Sequence, residues 1–211
     1  MLKQYHKLRG KILLVLLVSV LLSCWSSYTP TLDLQGHRGA RGLFPENTLV
    51  GFRKTIEMGV TTLELDLGLT KDFVPIVIHD PYINQNLCLN ANGDSIATDT
   101  LGYGPLISNL TLKEIKTFDC GSLNPDVSRF PEPPRKNIPG EKIPTLQVVF
   151  DLLAKYPYNN IWLNIEIKVE PESQITPPID IFVKAVLQVV NQNDANAKVN
   201  IQSFDWEVLE S

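Results

Sequence analysis

The sequence has few of the residues that build metal centres or disulfide scaffolds. Among its 211 residues there are three cysteines and three histidines. Cys24, Cys88 and Cys120 lack the close spacing of a zinc-binding pair, which argues against a structural zinc centre. In an exported protein Cys88 and Cys120 could form a disulfide, but the sequence alone leaves their pairing open.

A long apolar run is also missing. The strongly apolar stretch at residues 12–22 is shorter than the roughly 20 residues that cross a membrane. It follows a basic head and precedes small residues, so we assign residues 1–23 to a secretory signal peptide. The stretch ending at Cys24 resembles a bacterial lipobox, in which the cysteine is lipidated. An ordinary signal peptide with an incidental cysteine is the alternative. Residues 24–32 then form a tether, and we expect either a membrane-anchored lipoprotein or a periplasmic or extracellular protein.

Positive charge becomes scarce once the signal is removed. The full chain has 19 lysines and arginines against 23 acidic residues, and residues 1–23 hold four of the bases and none of the acids. The remainder therefore has 15 bases (19 − 4) against 23 acids, a net charge of −8. Such a surface argues against nucleic acid as a partner, because its phosphates require a basic footprint. An anionic substrate would have to meet local positive charge instead.

The chain contains no internal repeat and no long low-complexity tract. The 188 residues after the signal (211 − 23) are enough for one domain. Strand and helix patterns alternate along them, which favours an α/β fold with a parallel sheet. The predicted strands are residues 32–36, 61–67, 75–79, 161–168 and 199–204. The predicted helices are residues 48–58, 111–118, 178–191 and 205–211, with a further helix opening at 143–146.

Charged side chains recur at the ends of these predicted strands. Since they follow at least four successive strands, a (β/α)8 barrel would bring them together at one mouth. An insertion of about residues 82–144, rich in Asn, Asp, Gly and Pro, interrupts the alternation after the third strand. The charged groups are His37 with Arg38, Glu64 with Asp66, His79 with Asp80, and Glu166 with Lys168.

The carboxylates have the spacing of a metal site. Alternate residues of a strand share one face, so Glu64 lies on the same side as Asp66, and Glu166 on the same side as Lys168. Three carboxylates that converge would repel one another and would be costly to bury unpaired. A Ca²⁺ or Mg²⁺ ion, which takes oxygen ligands, removes that cost. We therefore predict one divalent metal bound by Glu64, Asp66 and Glu166.

The histidines and bases supply the remaining parts of a phosphodiester-cleaving site. An imidazole ordinarily gives or takes a proton near neutral pH, so His37 and His79 are predicted to act as acid and base. Arg38 and Lys168 are predicted to bind the phosphate oxygens. Among supporting residues, Asp80 is expected to shape its turn or to orient His79. Glu46 and Asn47 lie in the loop after the first strand, where Glu46 is expected to orient Arg38 or a histidine.

These motifs, HR…ExD…HD…ExK, resemble the glycerophosphodiester phosphodiesterase family from about Leu34 onward. The resemblance implies a (β/α)8 barrel of the phosphodiesterase type, with an insertion after its third strand and Glu46 as part of the motif. It also implies metal-dependent hydrolysis of glycerophosphodiesters. In this family the glycerol 2-hydroxyl is thought to attack phosphorus, and water then opens the cyclic phosphate to give sn-glycerol 3-phosphate and an alcohol.

Two alternatives stay open at this point. One is a sphingomyelinase-D-like phospholipase on a similar barrel, and the other is an inactive, membrane-tethered remnant. The second arises because the predictions reach only about five of eight strands. The residues at 33–211 are therefore expected to form a partial domain, whose own activity the sequence does not decide.

Overall fold

The sheet contains four parallel strands and one antiparallel strand. In this computed structural model the described residues are 32–125, 128–130, 134–156, 160–170, 175–193 and 198–211, so the predicted signal, Cys24 and nearly all of the tether lie outside them. The strand order is β1-β2-β4-β5, with β3 attached to β2. The strands are β1 Gln35–Gly36, β2 Thr62–Leu69, β3 Pro75–Val77, β4 Trp162–Ile167 and β5 Lys198–Gln202.

Most helices begin at a side chain that caps the first turn. Thr48 accepts a hydrogen bond from the Gly51 N–H and Thr145 from the Val148 N–H, while Thr111 forms a reciprocal capping box with its N3 glutamate. These caps satisfy backbone donors that a helix start would otherwise leave unpaired. The helices are α1 Leu49–Glu57, α2 Leu112–Ile115, α3 Leu146–Leu153, α4 Ile179–Gln192 and α5 Trp206–Glu210, with a 3₁₀ turn at Ile107–Asn109.

β3 differs from the prediction. We expected residues 75–79 to continue the parallel series, but β3 is shorter and pairs antiparallel with β2, with Val77 opposite Leu67. The reason is the connection: only residues 70–74 separate the two strands, which suffices for a hairpin but not for a parallel crossover. The hairpin turns the chain back, so that the Ile78 N–H donates to the Asp66 carbonyl.

Two hydrophobic clusters stabilise the fold. The larger lies between the sheet and the helices, where Leu63, Leu65 and Leu67 of β2 are almost completely buried against side chains of α1, α3 and α4. The smaller lies within residues 82–144 and extends onto Ile76 and Ile78. It contains the Cys88–Cys120 disulfide, so the pairing that the sequence left open is formed.

The prediction of an α/β fold with a parallel sheet is confirmed by this arrangement. Within the described part of the chain, no helix combines the length and the apolar character needed to cross a membrane.

Candidate active site

Three carboxylates from two neighbouring strands converge at the centre of the site. Glu64 and Asp66 share one face of β2, and Glu166 of β4 is the direct register partner of Asp66. One oxygen from each carboxylate lies within 4.8 Å of the others. All three residues are buried, with Asp66 only 1% exposed. The alternation of side chains along a strand sends these acids to the site and the intervening leucines and isoleucines to the core.

Burial makes this cluster electrostatically expensive. Desolvation, followed by the negative charge of Asp66, raises the pKa of Glu64 to about 7, although the Arg38 N–H donates to this carboxylate at 2.6 Å and opposes the shift. The carboxylate of Asp66 lies 3.3 Å from the Arg38 Nε and 3.6 Å from the Lys168 Nζ. A buried set of oxygen donors with surplus negative charge is the ligand set that Ca²⁺ or Mg²⁺ binds, so these residues fit a hard divalent cation.

Arg38 lies at the start of the turn after β1. Its backbone has a left-handed φ of 51°, and Gly39 follows with a φ of 74°. The tight turn points the Arg38 N–H at Glu64, while its guanidinium Nη1 donates to Glu46 at 2.9 Å. The other oxygen of Glu46 lies 3.2 Å from the Nη2 of Arg41. Glu46 is thus a buried carboxylate between two guanidiniums, and among the described residues its ion pairs are with Arg38 and Arg41.

Asn47 links this turn to the cluster of three carboxylates. It also has a left-handed backbone, with a φ of 54°, and it is 3% exposed. Its side-chain amide donates to Asp66 at 2.9 Å. Asp66 therefore receives contacts from the first loop, through Asn47 and Arg38, and from the end of β4, through Lys168.

His37 lies at the open side of the site. Its side chain is 58% exposed, and its Nε2 is 3.9 Å from a carboxylate oxygen of Glu64. Partial burial and the positive charges of Arg38 and Arg41 lower the pKa of His37. The neutral imidazole, which is able to accept a proton, is therefore the favoured form near neutral pH.

His79 enters the site from the hairpin strand. Its Nδ1 is 2.8 Å from the Oδ1 of Asp80, and the Oδ2 of Asp80 accepts a hydrogen bond from Asn84 at 2.7 Å. Asp80 is not one of the three clustered acids. Among the described residues, no hydrogen bond or ion pair links His79 to His37, and each histidine reaches the site from its own strand end.

A cleft of about 250 Å³ opens beside these groups. His79, Glu166 and Lys168 line one part of it, and the Nζ of Lys168 lies 5.7 Å from the ring centre of Phe204. The Nζ of Lys168 also donates to Glu166 at 2.7 Å. Other residues that line the cleft come from three separate segments: Ile107 and Ser108 of the 3₁₀ turn, residues 175–177, and Phe182.

Two site residues were missed by the sequence reasoning. Gln202 of β5 donates to the Oε2 of Glu166 at 3.3 Å, and it accepts a hydrogen bond from Asn164 at 2.9 Å. The same alternation rule, applied to β5, would have found Gln202, since it is the register partner of Glu166. Arg41 carried no such signal, because its contact with Glu46 depends on the path of the loop.

Comparison with known proteins gives a consistent result. The family model described as the glycerophosphoryl diester phosphodiesterase family matches residues 37–211. A glycerophosphodiester phosphodiesterase of Caldanaerobacter subterraneus is 36% identical over 169 residues, which are 80% of this chain and 56% of that protein.

Solved structures are similar as well. A Silicibacter pomeroyi protein assigned to the glycerophosphoryl diester phosphodiesterases is 30% identical, with a TM-score of 0.75 over 87% of this chain and 61% of that one. An Oleispira antarctica phosphodiesterase, solved with its product sn-glycerol-3-phosphate, is 25% identical with a TM-score of 0.61 over 85% of this chain and 60% of that one. These similarities confirm the predicted fold: the parallel sheet of this chain is part of a (β/α)8 barrel of the phosphodiesterase type. The chain spans little more than half the length of the relatives it matches.

Proposed function

This chain belongs to the glycerophosphoryl diester phosphodiesterase family, and on that premise we propose that it hydrolyses glycerophosphodiesters to sn-glycerol 3-phosphate and an alcohol. The observation that carries the proposal is the convergence of three buried carboxylates with Lys168 and Arg38 beside a cleft that His79 lines. Such a site suits an anionic phosphodiester. The carboxylates can bind a metal ion, Arg38 and Lys168 carry positive charge for the phosphate, and His79 can transfer a proton.

Glu64, Asp66 and Glu166 would hold one Ca²⁺ or Mg²⁺. When bound, the ion would supply Lewis-acid stabilisation of negative charge on the phosphoryl oxygens. Arg38 and Lys168 are placed to add to this stabilisation, because both already lie against Asp66 at the edge of the carboxylate cluster. Glu46 contacts the guanidinium of Arg38, which restricts the orientation in which that planar group meets a phosphate.

His37 and His79 would transfer the protons. In the first step one imidazole takes the proton of the glycerol 2-hydroxyl as its oxygen bonds to phosphorus. The bond from phosphorus to the alcohol oxygen breaks, and the other imidazole protonates that oxygen. In the second step water attacks phosphorus and opens the cyclic phosphate, and the two proton transfers run in reverse. The lowered pKa of His37 supports a neutral, proton-accepting imidazole in the resting site.

The decisive experiment is a product assay on purified protein. Glycerophosphocholine is supplied with Ca²⁺ or Mg²⁺ and with excess chelator, and sn-glycerol 3-phosphate is measured. We expect product with metal, none with chelator, and recovery when metal is restored. Sphingomyelin serves as the comparison substrate, and its preferential cleavage would favour the hypothesis of a sphingomyelinase-D-like phospholipase. Absence of product from every glycerophosphodiester, in protein that binds the metal, would overturn the proposal.

We further propose that the protein is exported and anchored through a lipid on Cys24. Support comes from the signal-like sequence and from the Cys88–Cys120 disulfide, because disulfides persist in oxidising compartments. Fractionation of cells that express the wild type or Cys24→Ser tests this. The wild type should be found with membranes and the variant should not; equal membrane association would contradict lipidation.

A further inference from the structure

A chain of hydrogen bonds runs away from the cleft behind His79. The Nδ1 of His79 contacts one oxygen of Asp80 at 2.8 Å, and Asn84 donates to the other oxygen at 2.7 Å. Because a carboxylate can only accept, the imidazole must carry its proton on Nδ1. The remaining nitrogen, Nε2, is then the one available for proton transfer, and His79 lines the cleft.

Both ends of the Asn84 amide are used. Its Oδ1 accepts a hydrogen bond from the Asn86 N–H at 2.8 Å, while its Nδ2 donates to Asp80. The oxygen and nitrogen of this amide are therefore distinguished by their partners, since only the nitrogen can donate to a carboxylate. The amide oxygen therefore stabilises the turn that contains Asn84, and the amide nitrogen holds the Asp80 carboxylate in one orientation.

The disulfide links the turn that carries Asn84 to a second segment of the same insertion. The Asn84 carbonyl accepts hydrogen bonds from the Leu87 N–H at 3.0 Å and the Cys88 N–H at 2.9 Å. Cys88 is bonded to Cys120, and beside that bond the backbones of Leu89 and Asp119 pair in both directions. His79, Asp80, Asn84 and both cysteines line one small cavity of about 30 Å³.

The charges around Asp80 agree with this geometry. Burial by itself would raise the pKa of Asp80, but the hydrogen bonds from His79 and Asn84, followed by the positive charge of Arg38, outweigh it and lower the pKa. Asp80 is therefore a carboxylate at neutral pH and can accept the two hydrogen bonds that the geometry assigns to it.

We propose that Asn84 is a positioning residue for His79, acting through Asp80 and fastened by the Cys88–Cys120 disulfide. The inference rests on the proposed function, in which His79 transfers a proton. Without the Asn84 donor, one oxygen of Asp80 loses its partner and the carboxylate can rotate. The imidazole would then lose its fixed tautomer and its alignment in the cleft, and misplacement of about 1 Å costs roughly 100-fold in rate.

The substitution Asn84→Asp distinguishes the proposed positioning of His79 from a role that is limited to stabilising the turn around Asn84. It keeps an oxygen for the Asn86 N–H but removes the donor to Asp80. Asn90→Asp is the matched control, because Asn90 also accepts hydrogen bonds through its Oδ1, from the Asn92 and Asp94 N–H groups, in a turn of the same insertion. The readouts are kcat and KM on glycerophosphocholine, the melting temperature, and the His79 tautomer from ¹⁵N NMR of the imidazole.

We expect Asn84→Asp to lower kcat by about 10- to 100-fold and to reduce the Nδ1–H tautomer of His79, with KM nearly unchanged. The second carboxylate beside Asp80 should also lower the melting temperature. Asn90→Asp should match the wild type. A double-mutant cycle adds a second arm: Asn84→Ala should lower kcat in the wild type but have no further effect when Asp80 is already alanine.

A wild-type tautomer population together with wild-type kcat in Asn84→Asp would overturn the inference, as would additive effects in the cycle. If the wild type proves to hydrolyse no glycerophosphodiester, the proposed function fails, yet the tautomer measurement still decides on Asn84. A tautomer that depends on Asn84 supports the positioning role, and one that does not overturns it.

Discussion

Asp66 of β2 and Glu166 of β4 are direct register partners on adjacent parallel strands, and both side chains are buried. Two carboxylates opposite each other would destabilise an ordinary strand pair. Here the Nζ of Lys168 lies 2.7 Å from Glu166 and 3.6 Å from Asp66, and Glu64 brings a third acid to the same place. The strand pair therefore carries a cluster of three acids, and the positive charges of Lys168 and Arg38 offset part of its negative charge.

The metal site can be tested with Glu166→Gln, which keeps the shape of the side chain and removes its charge. Loss of a residue that only hydrogen-bonds to a metal ligand costs roughly 10- to 100-fold in metal affinity. Because Glu166 is itself a proposed ligand, we expect the affinity for Ca²⁺ or Mg²⁺ to fall by more than this. Isothermal titration calorimetry gives the affinity. Glu57→Gln, an exposed glutamate paired with Lys54, is the control. Unchanged affinity in Glu166→Gln would remove this residue from the metal site.

The two histidines can be tested separately. His37→Ala and His79→Ala should each lower turnover by at least ~100-fold, the lower range for a positioned acid or base. Metal binding should persist in both, because neither histidine belongs to the carboxylate cluster. Steady-state kinetics and calorimetry measure the two properties on the same samples. Near-native turnover in either variant would make that histidine structural.

Glu46 should matter for stability as well as for the site. Glu46→Ala would leave the guanidiniums of Arg38 and Arg41 without the carboxylate they share, while Arg38 keeps its contact with Asp66, so we expect a loss of about 1–3 kcal/mol. Glu57→Ala removes an exposed pair and should cost at most about 1 kcal/mol. Urea unfolding compares the two variants. If the two variants lose the same free energy of unfolding, the buried contacts of Glu46 stabilise the fold no more than the exposed pair does.

The disulfide is expected to stabilise the insertion. Cys88 and Cys120 are 32 residues apart, and closing a loop of this size should contribute about 3–4 kcal/mol to the free energy of unfolding. Thermal melting of oxidised and reduced protein measures this contribution. The variant carrying Cys88→Ser and Cys120→Ser should melt like the reduced wild type and should not respond to reductant. A response in that variant would assign the effect to something other than this disulfide.

Asp119 should make stability depend on pH. Burial raises its pKa, but hydrogen bonds from Gly121, Ser122 and Gly140 outweigh this, so the pKa lies below its ordinary value of 3.8. The unfolded chain binds the proton more readily. The stabilisation is therefore present above about pH 3.8 and is lost as pH falls through the lower folded pKa.

Asp119→Asn should accordingly cost about 1–2 kcal/mol at pH 7 and much less near pH 2. Asp94→Asn, an exposed acid in the same insertion, is the control and should cost little at either pH. Denaturant unfolding at both pH values checks the result. A pH-independent loss would show that the charge of Asp119 is not the cause.

Much of the fold could be predicted because it depends on local patterns. The helices predicted to start at Thr48 and Thr111 do begin there, because those side chains cap the first turn, and the alternation of β2 assigned Glu64 and Asp66 to one face. β3 could not be predicted as an antiparallel strand from its apolar pattern alone, since that pattern does not encode direction. The short connection at residues 70–74 did contain the information.

The sequence by itself determined which chemical groups are present and which strand ends carry them, because side-chain periodicity depends only on neighbours along the chain. The tertiary structure decided which of those groups meet. The placement of Glu46 between Arg38 and Arg41, the contact of Gln202 with Glu166, and the bond from Asn84 to Asp80 depend on loop paths and strand register. These are set by packing of residues distant in sequence, which no local pattern specifies.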